Sequence, residues 1–333
     1  MSDPHPPSEL PDEARALWLT GPCAAELRRE KLAPPKAGEV LVRTLYSAIS
    51  RGTESLVFAG RVPESEYARM RCPYQSGEFP FPVKYGYASV GTVLRGSPEL
   101  EGRAVFCLFP HQSAYVVPES AVIPLPDGVP PERAVLAANL ETALNAIWDA
   151  ELRLGDRVSI VGAGVVGCSC AFLAAQVPGA EVELIDMRAS RAEIAARFGA
   201  SFALPPQAAR ERDLVFHASG SAGGLRTALE LAARDARIIE LSWFGNVDVS
   251  LPLGQDFHAR RLTLRSSQVG TPSPQARARW TTRTRLELAL SLCKDPRLSA
   301  LIGAECSFDA LPSALNTILG PESGILCQRV RYV

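Results

Sequence analysis

The chain has 333 residues, of which 47% are hydrophobic and 21% are charged, and its formal net charge is −1 at pH 7. This composition is typical of a globular protein and excludes a disordered one. The near-zero charge, with no run of Lys or Arg, offers no basic surface for nucleic acid. At this length we expect two domains with separate hydrophobic cores.

The N-terminal segment is acidic and rich in proline. It reads MSDPHPPSELPDEA and has neither the basic start nor the apolar stretch of a signal peptide or a membrane span. We therefore predict a flexible tail over residues 1–14 and no membrane partner. The eight cysteines form no CxxC spacing, which favours free thiols and a reducing, cytoplasmic location.

Short β-rich runs, separated by proline and glycine, follow between residues 39 and 126. They read EVLVRTLYSAIS, YASVGTVL, RAVFCLF and SAYVVPESAVIPLP, and they predict a compact β-rich domain. After Pro130, apolar residues recur at helical spacing in PERAVLAANLETALNAIWDAEL. This pattern predicts a helix that connects the two domains.

From Asp156 onward, predicted strands alternate with predicted helices. The six strands are RVSIV, EVELI, SFAL, DLVFHAS, RIIELS and LTLRSSQ. Strands joined by crossover segments of this kind predict a doubly wound parallel sheet with helices on both faces. A long helix in RWTTRTRLELALSLCKDP, a short helix in CSFDALPSALNTIL and a terminal strand in CQRVRYV complete the prediction.

A glycine turn follows the first of these strands and opens a helix. It reads GAGVVG over residues 162–167, the GxGxxG fingerprint of dinucleotide binding in its required context. Gly162 makes the tight turn, Gly164 admits the pyrophosphate and Gly167 lets helix and strand pack closely. With Val166, these residues are predicted to hold the cofactor at the helix N-terminus.

An acidic residue, Asp186, ends the second strand, EVELID. A carboxylate at this position can accept both ribose hydroxyls of the adenosine and repels a 2′-phosphate, which favours NAD over NADP. Arg188 and Arg191 lie just downstream. Arg191 is predicted to contact the ribose, and because either arginine can accommodate a phosphate, NADP stays possible.

With these residues in place, the chain resembles the medium-chain dehydrogenase/reductase superfamily, whose best-known branch is the zinc alcohol dehydrogenases. The likeness runs from about residue 17 to 333 and is carried by SAISRGTE, VKYGYASVGTV, SAYVVPESAVIPLPDGVPPERAVL, LETALNAI and GDRVSIVGAGVVG. It implies a GroES-like catalytic domain over residues 15–136 and a Rossmann NAD(P)-binding domain over 137–296. It also implies a C-terminal return to the catalytic domain over 297–333 and a homodimer paired through the last Rossmann strand.

The zinc pattern of that superfamily does not carry over to this chain. Where the zinc branch has Cys, His and then Cys or Glu, this sequence has Ser50, Tyr87 and, with Thr142 as the anchor, Ala138. These side chains do not supply the nitrogen, sulfur or carboxylate donors that zinc needs. We therefore expect no zinc and no other metal.

Two further hypotheses concern the positions where zinc ligands are replaced. A different metal site, built from Glu54, Glu141 and His111, is the alternative to a metal-free enzyme. The motif SRGTE followed by GR is also similar to the zinc-lacking bacteriochlorophyllide-type dehydrogenases. That likeness implies oxidation of a secondary alcohol without zinc.

Without zinc, side chains must stabilise the substrate oxygen and move one proton. Tyr87 is the first candidate, either as a donor to a carbonyl oxygen or as a base with a lowered pKa, which would need a nearby cation such as Lys84. The alternative for Tyr87 is a plain pocket wall. Ser50, Thr53 and Glu54 lie in a predicted loop facing the nicotinamide, where a relay from hydroxyl to carboxylate is one hypothesis and a structural role for Glu54 is the other.

The connecting helix and the turn before it supply further candidates. Glu141 and Asn145 share a helix face, so Glu141 is predicted to be catalytic if that face lines the cleft, and a solvated face is the alternative. Thr142 resembles the position that touches the nicotinamide carboxamide. Arg51 resembles a residue that clamps the pyrophosphate. For His111 a structural role is preferred to a role in the pocket.

Later strand ends supply the remaining predicted cofactor contacts, because ligands bind outside the carboxyl edge of such sheets. Ser219 and Gly220 follow the fourth strand, Ser242 follows the fifth and Ser267 closes the sixth.

Three functions are compatible with these residues. The first is a zinc-independent, NAD-dependent alcohol dehydrogenase or carbonyl reductase that acts on a small molecule. The second is an NADPH-dependent enone or quinone reductase, against which Asp186 argues. The third is a nucleotide-binding protein that has lost catalysis and acts as a sensor or scaffold.

Overall fold

The computed structural model describes residues 10–332, in which three β-sheets and eight α-helices form an α/β fold. A doubly wound parallel Rossmann sheet lies beside a β-rich GroES-like part that contains a four-stranded and a seven-stranded sheet. This fold class confirms the prediction. No helix within residues 10–332 is long and apolar enough to cross a bilayer.

The β-rich part, called the catalytic part after the role expected of it, begins with a β-hairpin and contains one short helix. Its elements are β1 (Glu13–Gly21), β2 (Ala24–Lys31), β3 (Glu39–Ile49), α1 (Arg51–Phe58), β4 (Ser76–Gly77), β5 (Val83–Lys84), β6 (Ser89–Arg95), β7 (Ala104–Cys107), β8 (Ala114–Pro118) and β9 (Ile123–Pro124).

Two local predictions in this part need correction. The predicted tail over residues 1–14 is too long, because β1 begins at Glu13, which pairs with Lys31; residues 1–9 lie outside the described range. The segment with Ser50, Thr53 and Glu54 is not a loop, because α1 begins at Arg51. The Glu54 carboxylate accepts the Ser50 backbone N–H at 2.7 Å and so stabilises the start of that helix.

The nucleotide-binding part follows the predicted order of strands and helices. Its elements are α2 (Pro131–Ala134), α3 (Ala137–Ala150), β10 (Arg157–Val161), α4 (Val165–Ala174), β11 (Glu181–Ile185), α5 (Ala192–Phe198), β12 (Ser201–Ala203), β13 (Arg212–His217), α6 (Ala222–Leu231), β14 (Ala232–Glu240), β15 (Thr263–Ser266) and α7 (Thr282–Leu292).

All six predicted strands of this sheet are present, in the order β12-β11-β10-β13-β14-β15. Every neighbouring pair is parallel, so the carboxyl ends of the six strands meet at one edge of the sheet. The order reverses direction beside β10, which is the place where doubly wound sheets bind their ligands.

The chain then returns to the catalytic part through β16 (Ile302–Ser307), α8 (Leu311–Leu319) and β17 (Cys327–Arg331). Strand β17 pairs antiparallel with β3, so that Val330 lies opposite Ser47. This pairing places Tyr332 beside residues from the first quarter of the chain.

The two parts share one cluster of buried residues, and each part also has a cluster of its own. One cluster of buried residues runs from Val90 of β6 through Leu136 and Leu140 to Ile160 of β10. A second cluster lies between β1, α1 and α8. Tyr87 packs against both clusters, so it lies where the catalytic part meets the connecting helix.

Candidate active site

The glycine turn has the geometry of a phosphate-binding turn. Gly162 has a φ of +106°, and a Cβ there would lie 2.5 Å from the Ser219 backbone nitrogen. A Cβ on Gly167 would lie 1.9 Å from the Gly162 carbonyl oxygen, so only glycine lets α4 pack this close to the turn. A Cβ on Gly164 would meet no protein atom within 4 Å. The open space beside Gly164, at the N-terminus of α4, fits a pyrophosphate.

Asp186 lies against this turn. One carboxylate oxygen accepts the Ala163 N–H at 2.8 Å, and the other accepts the Arg188 N–H at 2.9 Å. The carboxylate is therefore held at the end of β11, next to the turn, as expected for a group that contacts the adenosine ribose. Val166 lies in the first turn of α4 and is partly exposed.

Three arginines gather beside Asp186. Arg51 donates to the carbonyls of Gly320, Ser323 and Ile325, Arg188 to those of Glu322 and Ser323, and Arg191 to that of Gly324. Burial lowers the pKa of Arg51, and the charges of Arg188 and Arg191 lower it further. Their partners in residues 320–325 are neutral carbonyls.

Some buried polar atoms of this arginine cluster have no hydrogen-bond partner among the described residues. They are Nε of Arg51, Nε of Arg191 and Oγ of Ser323. Unsatisfied N–H donors and neighbouring positive charges are a suitable environment for cofactor phosphates. The donor chemistry and the open glycine turn therefore both fit a dinucleotide.

The predicted contacts at the other strand ends form a hydrogen-bonded group around a buried histidine. Ser219 Oγ lies 2.7 Å from His217 Nε2, and the Gly220 N–H donates to Ser242 Oγ at 3.0 Å. His217 Nδ1 lies 2.7 Å from a Glu240 carboxylate oxygen. Sequence analysis identified the three edge residues but not the role of this His–Glu pair in holding them, because the side-chain pairing requires β13 and β14 to be neighbours.

Ser267 and Thr142 bond within the protein. The Ser267 hydroxyl donates to Asp149 Oδ2 at 2.7 Å and is buried, which corrects its prediction as a cofactor contact. The Thr142 hydroxyl donates to the Ala138 carbonyl of its own helix at 3.0 Å, and its side chain is partly exposed.

Four of the five predicted catalytic residues come together. The phenol of Tyr87 lies beside the hydroxyls of Ser50 and Thr53, and the Glu54 carboxylate lies close enough to act on it electrostatically. The Ser50 hydroxyl also accepts a hydrogen bond from Asn139 Nδ2 of the connecting helix at 3.2 Å.

The Tyr87 phenol is neutral at physiological pH. Burial raises its pKa well above the ordinary value and the negative charge of Glu54 raises it further, while hydrogen bonds from Ser50 and Thr53 act in the opposite direction. Lys84 is engaged elsewhere, because its ammonium binds Glu30 at 2.7 Å and Gln112 at 2.6 Å. The predicted alternative of Tyr87 as a base with a lowered pKa is therefore wrong, and its phenol is a hydrogen-bond donor.

Glu54 belongs to a buried network that sequence analysis missed. Its carboxylate lies 3.0 Å from His111 Nε2, and His111 Nδ1 lies 2.7 Å from Ser47 Oγ. The Ser47 hydroxyl in turn lies 3.0 Å from the Tyr332 hydroxyl. His111 and Ser47 are fully buried. These residues come from widely separated segments, and no local sequence signal connects them.

Glu141 lies outside this cluster, which corrects its prediction as a catalytic residue. Its carboxylate accepts from Arg285 Nε at 3.0 Å, and the same arginine donates to Asn145 Oδ1 at 2.6 Å. Both side chains of this ion pair are buried, and although burial raises the pKa of Glu141, the Arg285 charge opposes that effect. Glu141 and Asn145 do share a helix face, but that face packs against α7.

The residues at the positions where the zinc branch has its ligands do not fit a zinc ion. Ser50 and Tyr87 offer hydroxyls, and Ala138 offers no donor. The alternative set of Glu54, Glu141 and His111 is divided, because Glu141 is paired with Arg285. Within residues 10–332 no group of three His, Cys, Asp or Glu side chains is placed to hold a metal.

The chain is similar to a known enzyme along nearly its whole length. It is 24% identical to a D-guloside 3-dehydrogenase of Escherichia coli (strain K12), over 93% of this chain and 94% of that protein. No family model matches the chain.

Solved dehydrogenase structures have the same fold. The L-idonate 5-dehydrogenase of Escherichia coli str. K-12 substr. MG1655 superimposes with a TM-score of 0.79 at 18% identity, over 96% of this chain and 98% of that one. A short chain alcohol dehydrogenase of E. coli CFT073, complexed with NADH, gives 0.75 at 17% identity, over 96% and 100%. In these similarities, its doubly wound sheet and its glycine turn, the chain resembles the medium-chain dehydrogenase/reductase superfamily of oxidoreductases.

Proposed function

We propose that this protein is a zinc-independent, NAD(P)(H)-dependent oxidoreductase. Its substrate would be a secondary alcohol, such as a hydroxyl of a sugar or polyol, or the corresponding carbonyl compound. The observation that carries this proposal is the neutral Tyr87 phenol, at a position where the zinc branch has a metal ligand, beside the Glu54 carboxylate. The similarity to a D-guloside 3-dehydrogenase supports a polyhydroxylated substrate.

The residues around the glycine turn would hold the cofactor. The backbone at Gly162, Gly164, Val166 and Gly167 faces the pyrophosphate, and Asp186 accepts the adenosine ribose hydroxyls. When bound, the nicotinamide accepts or donates the hydride. Arg51 and Arg191, Thr142, and Ser219, Gly220 and Ser242 at the sheet edge are the remaining proposed contacts.

Tyr87 and Glu54 would replace the metal in different ways. The Tyr87 phenol is neutral, so it donates a hydrogen bond to the substrate oxygen and stabilises negative charge that develops there. Glu54 is a carboxylate next to that phenol, so it is the group that accepts the proton in alcohol oxidation and returns it in carbonyl reduction. The hydroxyls of Ser50 and Thr53 lie beside the phenol and would pass the proton on.

NAD is the preferred cofactor in this proposal. The Asp186 carboxylate lies where a 2′-phosphate would approach, and like charges would repel. The guanidinium groups of Arg188 and Arg191 donate to carbonyls of residues 322–324. Neither guanidinium group donates a hydrogen bond to the Asp186 carboxylate among the described contacts.

One experiment tests both the reaction and its independence of zinc. Protein dialysed against a chelator, with its metal content measured, is assayed with NAD and NADP on a panel of polyols, sugars and enones by nicotinamide absorbance. We expect oxidation of a secondary alcohol with NAD at less than about one-tenth equivalent of zinc.

Other outcomes of this assay contradict the proposal in distinct ways. Activity that returns only with added zinc contradicts the zinc independence. Activity on enones with NADPH alone identifies an enone or quinone reductase. Tight cofactor binding without turnover of any compound identifies a sensor or scaffold.

A further inference from the structure

A continuous row of hydrogen bonds leads away from the candidate active site through the interior of the catalytic part. It connects Glu54 to His111, His111 to Ser47 and Ser47 to Tyr332, with distances of 3.0, 2.7 and 3.0 Å. The four side chains come from α1, from the loop before β8, from β3 and from the residue after β17. We call these four residues the buried row.

The far end of the buried row lies at the molecular surface. Tyr332 lines a surface pocket of about 180 Å³. The rim of this pocket carries Arg15 and Asp309, which form an ion pair and keep the opening polar. Water in this pocket would therefore be close to the Tyr332 end of the row.

Gly86 leaves space for the His111 ring and adopts a backbone conformation that favours glycine. Gly86, the residue before Tyr87, has a φ of +122°, and a Cβ there would lie 2.8 Å from the His111 ring. A fully buried imidazole between two polar partners is expensive to desolvate. A purely structural contact between β3 and β17 could be made by apolar side chains, so the polar row suggests a functional use.

Neighbouring phenols and thiols do not add charges to the row. Burial raises the pKa of two phenols and of two thiols beside it, the thiols to about 12. These groups are Tyr87, Tyr332, Cys72 and Cys327. The charged groups at its Tyr332 end are those of the pocket rim, Arg15 and Asp309.

We propose that Glu54, His111, Ser47 and Tyr332 form a proton relay between the active-site cleft and the surface pocket that Tyr332 lines. This inference rests on the proposed function, since alcohol oxidation releases one hydroxyl proton in the cleft and carbonyl reduction consumes one. His111, Ser47 and Tyr332 are relay residues that do not touch the substrate.

Each transfer in the relay balances. The transfer starts when Glu54 has taken the alcohol proton and the neutral His111 ring carries its proton on Nδ1. Glu54 passes its proton to His111 Nε2, and His111 releases the proton of Nδ1 to Ser47 Oγ. The Ser47 hydroxyl proton moves to Tyr332 Oη, and the Tyr332 proton leaves to water in the pocket. One proton enters and one leaves; His111 ends with its proton on Nε2, so the Nδ1–H form must be restored before the next turnover. Carbonyl reduction uses the same steps in reverse.

The test removes one hydroxyl at a time and has a matched control. Tyr332→Phe and Ser47→Ala each interrupt the row. Tyr115→Phe and Ser89→Ala remove a comparable buried tyrosine–serine hydrogen bond of 3.1 Å in the same part of the molecule, outside the row. Tyr332→Phe and Tyr115→Phe each lose the bond to a buried serine, whereas Ser47→Ala loses two buried hydrogen bonds and Ser89→Ala loses one. The free energy of unfolding of all four variants is therefore measured beside their activity.

We expect the two row variants to lower kcat about ten- to hundredfold, with the substrate KM and the NADH affinity unchanged. The solvent deuterium isotope effect on kcat should rise, and added imidazole should partly restore turnover by carrying the proton. The control variants should keep kcat within about twofold. These readouts separate proton transfer from packing, because packing defects are not rescued by a soluble base.

Two results would overturn the relay, and they are distinguishable. If the wild-type protein turns over a secondary alcohol but the row variants match their controls, the relay is wrong and the proposed function stands. If the wild-type protein turns over no substrate, the proposed function fails and the relay fails with it.

Discussion

At the scale of single residues, the neutral phenol of Tyr87 determines the chemistry we propose. Replacing Tyr87 by Phe removes the donor to the substrate oxygen and keeps the ring, so kcat should fall by about ten- to ten-thousandfold while NADH affinity stays unchanged. Steady-state kinetics and fluorescence titration with NADH measure the two effects.

Tyr85→Phe is the control for this substitution. Tyr85 is a buried neighbour whose ring lies 6.0 Å from that of Tyr87, and its hydroxyl approaches only a backbone carbonyl at 3.4 Å. Loss of the Tyr85 hydroxyl should leave kcat within about twofold of the wild-type value. Equal rates for both variants would assign Tyr87 to packing.

Gly86 should be intolerant of a side chain. Gly86→Ala adds a methyl group 2.8 Å from the His111 ring at a φ of +122°, so we expect a loss of about 2 to 4 kcal/mol in the free energy of unfolding. Gly102 has a φ of +77° with no atom near its missing Cβ. Gly102→Ala should therefore cost only about 1 to 2 kcal/mol of backbone strain, as measured by urea denaturation.

Some residues of the candidate site were predicted from the sequence and others were not. Ser50, Thr53, Glu54 and Tyr87 were found because a known motif identifies their positions. Ser47 and Tyr332 could not be found, since their contact depends on the pairing of β3 with β17 across almost the whole chain. Helical spacing correctly placed Glu141 and Asn145 on one face of α3. It did not predict that α7 covers this face, because spacing within one helix does not identify the element that packs against it.

At the scale of elements, strands were predictable where burial on both faces gives continuous apolar runs. This holds for the six Rossmann strands, whose predicted positions all match. The β1–β2 hairpin was missed because β2 reads AAELRREK and is mostly polar. Helix α1 was missed because it is short and contains Gly52 and Thr53, which have low helix propensity.

The turn between β10 and α4 allows stability and binding to be separated. Gly167→Ala places a methyl group 1.9 Å from the Gly162 carbonyl oxygen, so we expect a loss of at least about 3 kcal/mol in stability. Gly164→Ala meets no protein atom, so stability should change by no more than about 1 kcal/mol. Its methyl group would occupy the space proposed for the pyrophosphate, and NADH affinity should fall about tenfold or more.

Thermal denaturation and fluorescence titration with NADH measure these two effects. Unchanged NADH affinity in Gly164→Ala would show that the cofactor does not approach this turn. The proposed cofactor site would then need to be moved.

At the scale of the whole molecule, the arginine cluster joins the two parts through residues 320–325. Arg51 belongs to α1 of the catalytic part, while Arg188 and Arg191 follow β11 of the nucleotide-binding part. Cofactor phosphates that bind these guanidinium groups would act on both parts at once, so cofactor binding and the relative position of the two parts should be coupled.

We further propose that two copies of the chain pair through β15. This strand is the last in the order of the six-stranded sheet, and Thr263 and Ser266 at its ends are exposed. An open edge of this kind is a template for pairing with a second chain. Light scattering should give about twice the 35.8 kDa of one chain. Thr263→Lys should shift the mass toward one chain, and a monomeric wild-type protein would contradict the proposal.

The position of β17 between β16 and β3 also affects biosynthesis. During translation β3 and its partner β8 leave the ribosome early, but β17 emerges only after the nucleotide-binding part has been made. Until then residues 46–49 of β3 lack their β17 partner, and the nascent protein carries an exposed template for aggregation. Chaperones that protect such edges should therefore affect the yield of this protein more strongly than its final stability would suggest.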